Sequence, residues 1–164
     1  MKDLGFLSYF LDLEISHDFS GYFLIQAKYT SDLLTRASLT DYKTAPTPID
    51  PQTCLTPLDG HLLSDAILYR QLVGSLVYLT VTRPDIAYDV YIVSQFMDAP
   101  RSPHYDAVVH ILRYLKGTMF HGLHYSAHSC LQLHVFSDAD WVGDPIDRRS
   151  TTGFCFFLGD SFIA

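Results

Sequence analysis

The 164-residue sequence predicts an α+β fold: a β-hairpin with a helix, then a three-helix subdomain, then the first strands of an unfinished sheet. Three observations carry this prediction. Apolar and polar residues alternate over 11–15 and 131–138, as in half-buried strands. Apolar residues recur at intervals of three and four between positions 68 and 115, as in amphipathic helices. Four of the eight prolines fall within 44–60 and predict an extended connector.

The N-terminal segment predicts a hairpin followed by one helix. Residues 11–15 form the first strand, residues 18–21 (DFSG) supply turn chemistry, and residues 22–25 form the second strand. Over 27–37, Tyr29 and Leu33 recur at helical spacing and indicate a short amphipathic helix. The proline-rich connector that follows predicts a subdomain boundary.

Three helices are predicted after the connector, and their apolar stripes should pack on one another. The second begins near Pro84, because proline is tolerated in the first helical turn, and it runs to Met97. The third has Ser102 as its N-cap and ends at Gly117. The expected interior residues are Leu68, Leu72, Leu76 and Leu79, then Ile86, Val90, Val93 and Met97, then Val108, Ile111, Leu112 and Leu115.

The last forty residues predict two strands of a sheet. Residues 131–138 alternate in polarity, and the apolar run 153–159 (GFCFFLG) suits a partner strand that is buried on both faces. Two strands taken from a larger sheet expose an edge and an apolar face, so this part should be the least stable. The aromatic residues expected to reduce solubility are Phe154, Phe156 and Phe157.

Composition excludes several classes of protein. An apolar fraction of 48% with 18% charged residues excludes a disordered chain, and no apolar run reaches the length of a membrane span. The acidic start does not resemble a secretory signal. Three widely spaced cysteines, Cys54, Cys130 and Cys155, favour reduced, buried thiols and an intracellular, reducing compartment.

The net charge of -7 argues against tight, unaided binding to a polyanion, because nucleic-acid affinity comes largely from neutralised phosphates. Residues 101–130 form the only basic block, with three Lys or Arg against one acid. A solvated helix face explains this block equally well.

Two carboxylates, Asp138 and Asp140, lie where the strand 131–138 should end and share one face of an extended chain. Carboxylate oxygens are ligands that Mg²⁺ prefers, although two from one segment do not complete a site. From the residues alone, a turn or cap role for these acids is the simpler alternative. An independent metal hydrolase is a weaker one.

Seven stretches resemble, in order and spacing, the Pol polyprotein of copia-type LTR retrotransposons. They are MKDLG (1–5), YFLDLEI (9–15), YRQLVGSLVYLTVTRPDIAYDV (69–90), SQFMDAP (94–100), HILRYLKGT (110–118), FSDADWVGD (136–144) and RRSTTGFCFFLG (148–159). The resemblance implies three parts. Residues 1–50 would end a reverse transcriptase palm, residues 51–124 would form a helical thumb or connection-like region, and residues 125–164 would begin a truncated RNase H-like domain.

The resemblance also implies roles for individual residues. Leu11 and Asp12 match the primer-grip hairpin, where the family usually has glycine in place of Asp12. A packing hairpin in which Asp12 points to water is the alternative, given the period-2 pattern. Arg113 and Lys116 share a helix face, as residues that follow a nucleic-acid backbone could, and ordinary surface charge is the alternative. Asp138 matches the first metal-binding aspartate of RNase H, whereas Asp140 is not the standard ligand.

The implied function is that of a fragment of an RNA-directed DNA polymerase/RNase H, catalytically incomplete by itself. The family's polymerase motif Y-x-D-D is absent from this sequence, and the other RNase H acids would lie after residue 164. In the full polyprotein the expected cofactor is Mg²⁺ and the partner is a primer-template or RNA/DNA hybrid. No tightly bound metal, small-molecule cofactor or membrane is expected for the fragment, and its oligomeric state is left open. The alternative is a non-catalytic relic or adaptor that weakly binds nucleic acid or protein.

Overall fold

A computed structural model describes residues 8–50, 53–139 and 150–163 of the chain. The fold is mixed, as predicted, with helices and two antiparallel sheets. In chain order the elements are β1 (Tyr9–Phe10), β2 (Leu13–Asp18), β3 (Gly21–Ile25), α1 (Ala27–Arg36), α2 (Ala66–Leu79), a 3-10 turn (Pro84–Ile86), α3 (Ala87–Ser94), α4 (Ser102–Gly117), β4 (Leu123–Ser126), β5 (Leu133–Ala139), β6 (Thr152–Leu158) and β7 (Ser161–Phe162).

The helices form one compact unit, residues 11–13 and 25–122. The Asp65 side chain caps α2 by accepting a hydrogen bond from the Leu68 amide (2.9 Å), and the Tyr69 hydroxyl joins α2 to α3 by donating to the Val93 carbonyl (2.6 Å). The predicted apolar stripes are confirmed as the core. Its fully or nearly buried members include Leu72, Leu76, Leu79, Ile86, Val90, Val93, Val108, Ile111, Leu112 and Leu115, with Leu68 and Met97 packed at its margin.

Among the described residues, the second compact unit contains residues 8–10, 14–24, 123–139 and 150–163. Its two sheets have the strand orders β1-β2-β3-β4 and β5-β6-β7. Gly21 begins β3 with φ +147°, and a Cβ atom there would lie 2.0 Å from the Tyr125 carbonyl oxygen of β4. Glycine is therefore required for the close approach of β3 to β4. The predicted turn at 18–21 is confirmed as well, since β2 ends at Asp18 and β3 begins at Gly21.

The predicted division of the chain into three segments, after residues 50 and 124, stays a prediction. Within the helical unit, helix α1 packs against α2 and α4. Burial of Leu33 and Leu34 against the other helices accounts for this grouping. No helix in the described part of the chain has the length and apolar character needed to cross a bilayer.

The prediction of a strand over 11–15 is wrong at its start. Leu11 and Asp12 have φ of 47° and 60° and form the turn between β1 and β2, so β2 begins at Leu13. Two consecutive left-handed residues are typical of the type I′ turn, which matches the twist of the strands that it joins. Alternating polarity does not reveal such a turn, because the alternation continues through it.

Two predicted helix boundaries also change. The helix predicted from Pro84 to Met97 consists of a 3-10 turn followed by α3, which ends at Ser94. The N-cap of α4 is Arg101 rather than Ser102, because the His104 ring accepts a hydrogen bond from the Arg101 amide (3.0 Å). Both changes leave the buried face of each helix as predicted.

The final sheet is far more exposed than predicted. Every residue of β5 is exposed, and the first four residues of β6 are exposed as well, so burial of the 153–159 strand on both faces is wrong. Phe136 and Phe154 are 60% and 59% exposed. The cysteine prediction is wrong in the same way, since Cys54, Cys130 and Cys155 are free but exposed rather than buried.

Candidate nucleic-acid and metal-binding residues

The turn with the primer-grip candidates Leu11 and Asp12 is attached to helix α2. The Tyr78 hydroxyl donates a hydrogen bond to the Leu11 carbonyl oxygen, and the Tyr29 ring packs edge-on against Tyr78 with centroids 5.3 Å apart. The Leu11 side chain itself is 67% exposed. The backbone of this turn is thus fixed, while its apolar side chain faces solvent.

Arg113 and Lys116 lie on one side of α4, as their spacing predicts, and both contact the segment that follows α1. Arg113 Nε donates to the Lys43 carbonyl oxygen (2.7 Å), and the Arg113 carbonyl accepts from the Ala45 amide (3.2 Å). Lys116 Nζ donates to the carbonyl oxygens of Tyr42 (2.7 Å) and Thr40. The carbonyl groups of this loop lie outside any helix or strand, and these two cationic side chains serve as their hydrogen-bond donors. In this arrangement they join α1 to α4.

Asp138 lies on the exposed strand β5, opposite Gly153 of β6. Its Oδ1 atom accepts a hydrogen bond from the Ala139 amide (3.0 Å), which is a local turn-like contact. Asp140 lies outside the described residues. Among the residues that are described, no three His, Cys, Asp or Glu side chains are grouped so that they could hold a metal ion. The described donors around Asp138 therefore do not fit a magnesium site.

The structure brings the predicted residues together in pairs only. Leu11 and Asp12 share the β1–β2 turn, and Arg113 and Lys116 share the loop at 40–43. Asp138 belongs to the sheet unit, whereas the other four belong to the helical unit. Their assignment to primer, phosphate or metal contacts stays a prediction.

Sequence reasoning missed the polar network around Arg83, whose side chain is 3% exposed. Its guanidinium donates to both oxygens of Asp85 (2.9 and 2.7 Å) and to the Thr118 carbonyl and hydroxyl (2.9 and 2.8 Å). The guanidinium carbon also lies 5.5 Å from the centroid of the Tyr114 ring. The network joins the start of α3 to the end of α4. An arginine two residues before an aspartate was the only signal in the sequence.

Electrostatics in this network follow from burial and from the ion pair. Burial acts to raise the pKa of Asp85, but the hydrogen bonds and charge of Arg83 outweigh burial and lower it overall. The Tyr114 hydroxyl donates to Asp85 (3.0 Å), and burial together with that carboxylate raises the pKa of Tyr114. Asp85 is therefore held as a carboxylate and Tyr114 as a neutral phenol. We assign this network a structural role.

His104 is a second polar residue that the sequence did not single out, and it is fully buried. Its Nδ1 accepts from the Arg101 amide, so its Nε2 carries the proton and donates to the Thr56 carbonyl (2.9 Å). The ring also stacks on Phe96 with centroids 3.8 Å apart. Burial lowers the pKa of His104. The neutral ring links the connector to the start of α4.

Comparison with known proteins identifies the family. No protein-family model matches the chain. An uncharacterized mitochondrial protein of Arabidopsis thaliana is 44% identical over 164 residues, covering 100% of this chain and 68% of that protein. The retrovirus-related Pol polyprotein from transposon RE1 of the same plant is 44% identical over 159 residues, covering 97% of this chain. The chain belongs to the copia-type retrotransposon Pol family.

The similarity covers nearly all of this chain but only a small part of each Pol polyprotein. The retrovirus-related Pol polyprotein from transposon TNT 1-94 of Nicotiana tabacum is 35% identical over 173 residues, covering 100% of this chain. Yet the chain spans 11% of the RE1 polyprotein and 13% of the TNT 1-94 polyprotein. No solved structure matches this Pol-family chain.

Proposed function

We propose that this chain is a non-catalytic segment of a copia-type RNA-directed DNA polymerase/RNase H polyprotein. In this proposal residues 1–50 end the polymerase palm, residues 51–124 are thumb or connection-like, and residues 125–164 begin the RNase H domain. The observation that carries the proposal is the similarity to Pol polyproteins, which covers 97% of the chain for RE1 and 100% for TNT 1-94.

Catalytic incompleteness follows from the acids that the sequence contains. Polymerase and RNase H chemistry both use paired divalent ions around the reacting phosphate, and each ion needs several oxygen ligands. The sequence has no Asp-Asp dipeptide, and Asp138 is its one match to the RNase H acids. In the full polyprotein Asp138 would supply one magnesium ligand beside an RNA/DNA hybrid. In this chain one such carboxylate cannot hold the pair of ions.

The hydrogen bonds of Arg113 and Lys116 support a scaffolding role for the helical unit. Both side chains donate to carbonyls of the 40–43 loop, through Arg113 Nε and Lys116 Nζ, so any contact with a phosphate would have to be made by their remaining N–H donors. The exposed Leu11 turn is a second primer-contact candidate. Asp12 counts against that contact, because a carboxylate repels a phosphate.

The direct test is an activity assay on the purified chain. With Mg²⁺ present, we expect neither primer extension on an RNA template nor cleavage of an RNA/DNA hybrid. Asp138→Asn should change nothing, and Asp160→Asn, an exposed carboxylate of the same unit, is the matched control. Hybrid cleavage that is lost in Asp138→Asn and kept in Asp160→Asn would overturn the proposal.

The sequence of the neighbouring DNA distinguishes the polyprotein segment from the alternative, a free-standing relic or adaptor. For the polyprotein segment, we expect the reading frame to continue upstream into a Y-x-D-D motif and downstream into further acids. In-frame stop codons close to both ends would instead favour the relic. Sequencing of the flanking DNA distinguishes these outcomes without any assumption about activity.

A further inference from the structure

The β1–β2 turn has a backbone conformation that its own residues do not favour. Leu11 and Asp12 have φ of 47° and 60°, and a left-handed backbone is especially unfavourable for leucine. Asn-Gly is the usual pair at two such positions. Sparsely populated conformations persist where the surrounding structure holds them, and they are concentrated at functional sites. Contacts from outside the turn are therefore needed to hold it.

The strand that precedes the turn supplies little of this stabilisation. β1 consists of two residues, Tyr9–Phe10, and the Ile15 amide of β2 donates across the hairpin to the Ser8 carbonyl (2.9 Å). So short a strand pair is marginal by itself.

Tyr78 of α2 supplies a contact from 67 positions away in the sequence, because its hydroxyl donates to the Leu11 carbonyl oxygen. Helix α2 is a firm support, since Leu76 and Leu79, close to Tyr78 in the sequence, are fully buried. The Tyr29 ring packs edge-on against the Tyr78 ring and restricts its movement. The hydroxyl is thus directed at the turn from a rigid helix.

This contact fixes the backbone of the turn and leaves the Leu11 side chain 67% exposed. Because so little of that side chain is buried, it adds little to the stability of the fold. A contact group needs a supporting residue behind it, and support through the backbone leaves the side chain accessible. Leu11 is apolar and its neighbour Asp12 repels phosphate, so the matching part of a nucleotide is the apolar face of its sugar or base.

We propose that Tyr78 is a positioning residue for primer binding. Through the Leu11 carbonyl it holds the β1–β2 turn so that the Leu11 side chain meets the apolar face of the terminal primer nucleotide. The inference rests on the primer-contact role of the turn given under Proposed function. The hydroxyl of Tyr78, rather than its ring, carries this role, so Tyr78→Phe removes the role and keeps the packing against Tyr29.

Photo-crosslinking of the purified chain tests the proposal. A DNA primer with a photoreactive iodouracil at its terminal nucleotide is annealed to an RNA template. The chain is used at about 50 μM and low salt, because an acidic chain binds nucleic acid weakly. We expect an adduct within the segment 9–13, which contains the turn. Tyr78→Phe should reduce this adduct about fivefold, through loss of one hydrogen bond to the turn.

Measurements without nucleic acid separate positioning from a purely structural role. Amide exchange at Ile15, whose amide bonds across the hairpin, should become faster in Tyr78→Phe. The midpoint of urea unfolding should stay nearly unchanged, because the lost hydrogen bond is exposed. Tyr88→Phe, at a 61% exposed tyrosine of α3, is the matched control and should alter neither the adduct, the exchange nor the midpoint.

Leu11→Ala separates the contact group from its support. It removes the apolar side chain and retains the carbonyl that Tyr78 binds, so it should reduce the adduct without faster exchange at Ile15.

Several results would overturn the proposal. They are an adduct that is absent or lies outside the turn, an adduct that Tyr78→Phe or Leu11→Ala does not reduce, and exchange at Ile15 that Tyr78→Phe does not accelerate. A loss of adduct that occurs only together with a lower urea midpoint would do so too. The proposed function fails by different observations, namely stop codons in the flanking DNA or hybrid cleavage by the chain.

Discussion

The helical unit and the β5–β6 ribbon (Leu133–Ala139 and Thr152–Leu158) are both rich in apolar residues, but they bury them very differently. In the helices, Leu76, Ile111 and Leu115 are fully buried, and their stripes face one another. In the ribbon, residues of the same kind, such as Val135, Phe136 and Phe154, remain at least half exposed. An apolar pattern therefore predicts which face can be buried, but burial itself requires a second surface.

This difference implies an uneven distribution of stability. Apolar burial stabilises a fold by about 25 cal/mol per Å² removed from water, so the helical unit contains most of the stabilising area. The ribbon is held mainly by its backbone ladder and by the Phe136, Phe157 and Phe162 ring contacts. We expect the helical unit to be the stable body of the molecule.

The largest expected effect comes from a matched pair of truncations. Leu76→Ala removes a fully buried side chain from the helical core and should lower the free energy of unfolding by about 3 kcal/mol. Val135→Ala removes a side chain that is 51% exposed and should cost less than about 1 kcal/mol. Urea unfolding followed by circular dichroism at helical wavelengths measures the first, and amide exchange in β5 measures the second. Equal losses in both would contradict the comparison.

Next in size is the loss of the Arg83 network. Arg83→Met keeps the apolar stem but removes the cation beside Asp85, which retains only the Tyr114 hydroxyl from this network, and removes the Arg83 donor of the Thr118 carbonyl, so it should cost about 2–3 kcal/mol. The control is Arg70→Met, because Arg70 also donates to backbone carbonyls, those of Met97 and Asp98, but is exposed. The control should cost less than about 1 kcal/mol in the same urea experiment. Similar losses would show that burial of Arg83 is unimportant.

The contrast between core and network also separates what the sequence can predict from what it cannot. The interior of α4 was predictable, because Val108, Ile111 and Leu115 follow helical spacing within one segment. The Arg83 bonds were not, since Thr118 lies 35 positions away, and the His104 bond to Thr56 spans 48. Local periodicity contains no information about such pairs.

The candidate site residues also show some features that the sequence predicts and others that it does not. That Arg113 and Lys116 share a helix side follows from their spacing, but their use in binding loop carbonyls at 40–43 depends on tertiary packing. The exposure of the ribbon likewise depends on which other elements pack on it, and the sequence of β5 (LHVFSDA) does not indicate those elements. The assignment of Asp138 came from family resemblance and stays a prediction.

A smaller effect is expected from pH, through His104. The pKa of His104 is lowered by burial, and the nearby charge of Arg101 lowers it further, so the unfolded chain binds the proton more tightly than the folded one. The stabilising contribution is therefore complete above the unfolded pKa of about 6.5 and is lost as pH falls below it. Protonation would remove the acceptor for the Arg101 amide, a loss of about 1 kcal/mol.

Thermal unfolding between pH 7.5 and 5 measures this dependence. His104→Gln keeps an acceptor and a donor but does not titrate, so it should flatten the profile over this range. His61→Gln, at an exposed position, should leave the profile of the unchanged chain. Asp85 does not interfere, because its pKa is lowered, so its stabilising contribution is constant over this range and is lost only as the pH falls below about 4. A wild-type profile that is already flat would contradict the lowered pKa of His104.

The smallest effect is expected at the β1–β2 turn, where the sequence and the backbone disagree. Leu11 and Asp12 both adopt positive φ, which disfavours leucine strongly and aspartate less. The type I′ turn prefers Asn-Gly at these positions, so the double substitution Leu11→Asn and Asp12→Gly should stabilise the hairpin by about 1 kcal/mol. Amide exchange at β2 measures the change, with Phe19→Asn, in the turn between β2 and β3, as the control. Because the backbone partner of Tyr78 is the Leu11 carbonyl, which the substitution retains, slower exchange at β2 should occur without any change in the attachment to α2. Faster exchange would show instead that the exposed Leu11 side chain stabilises the turn.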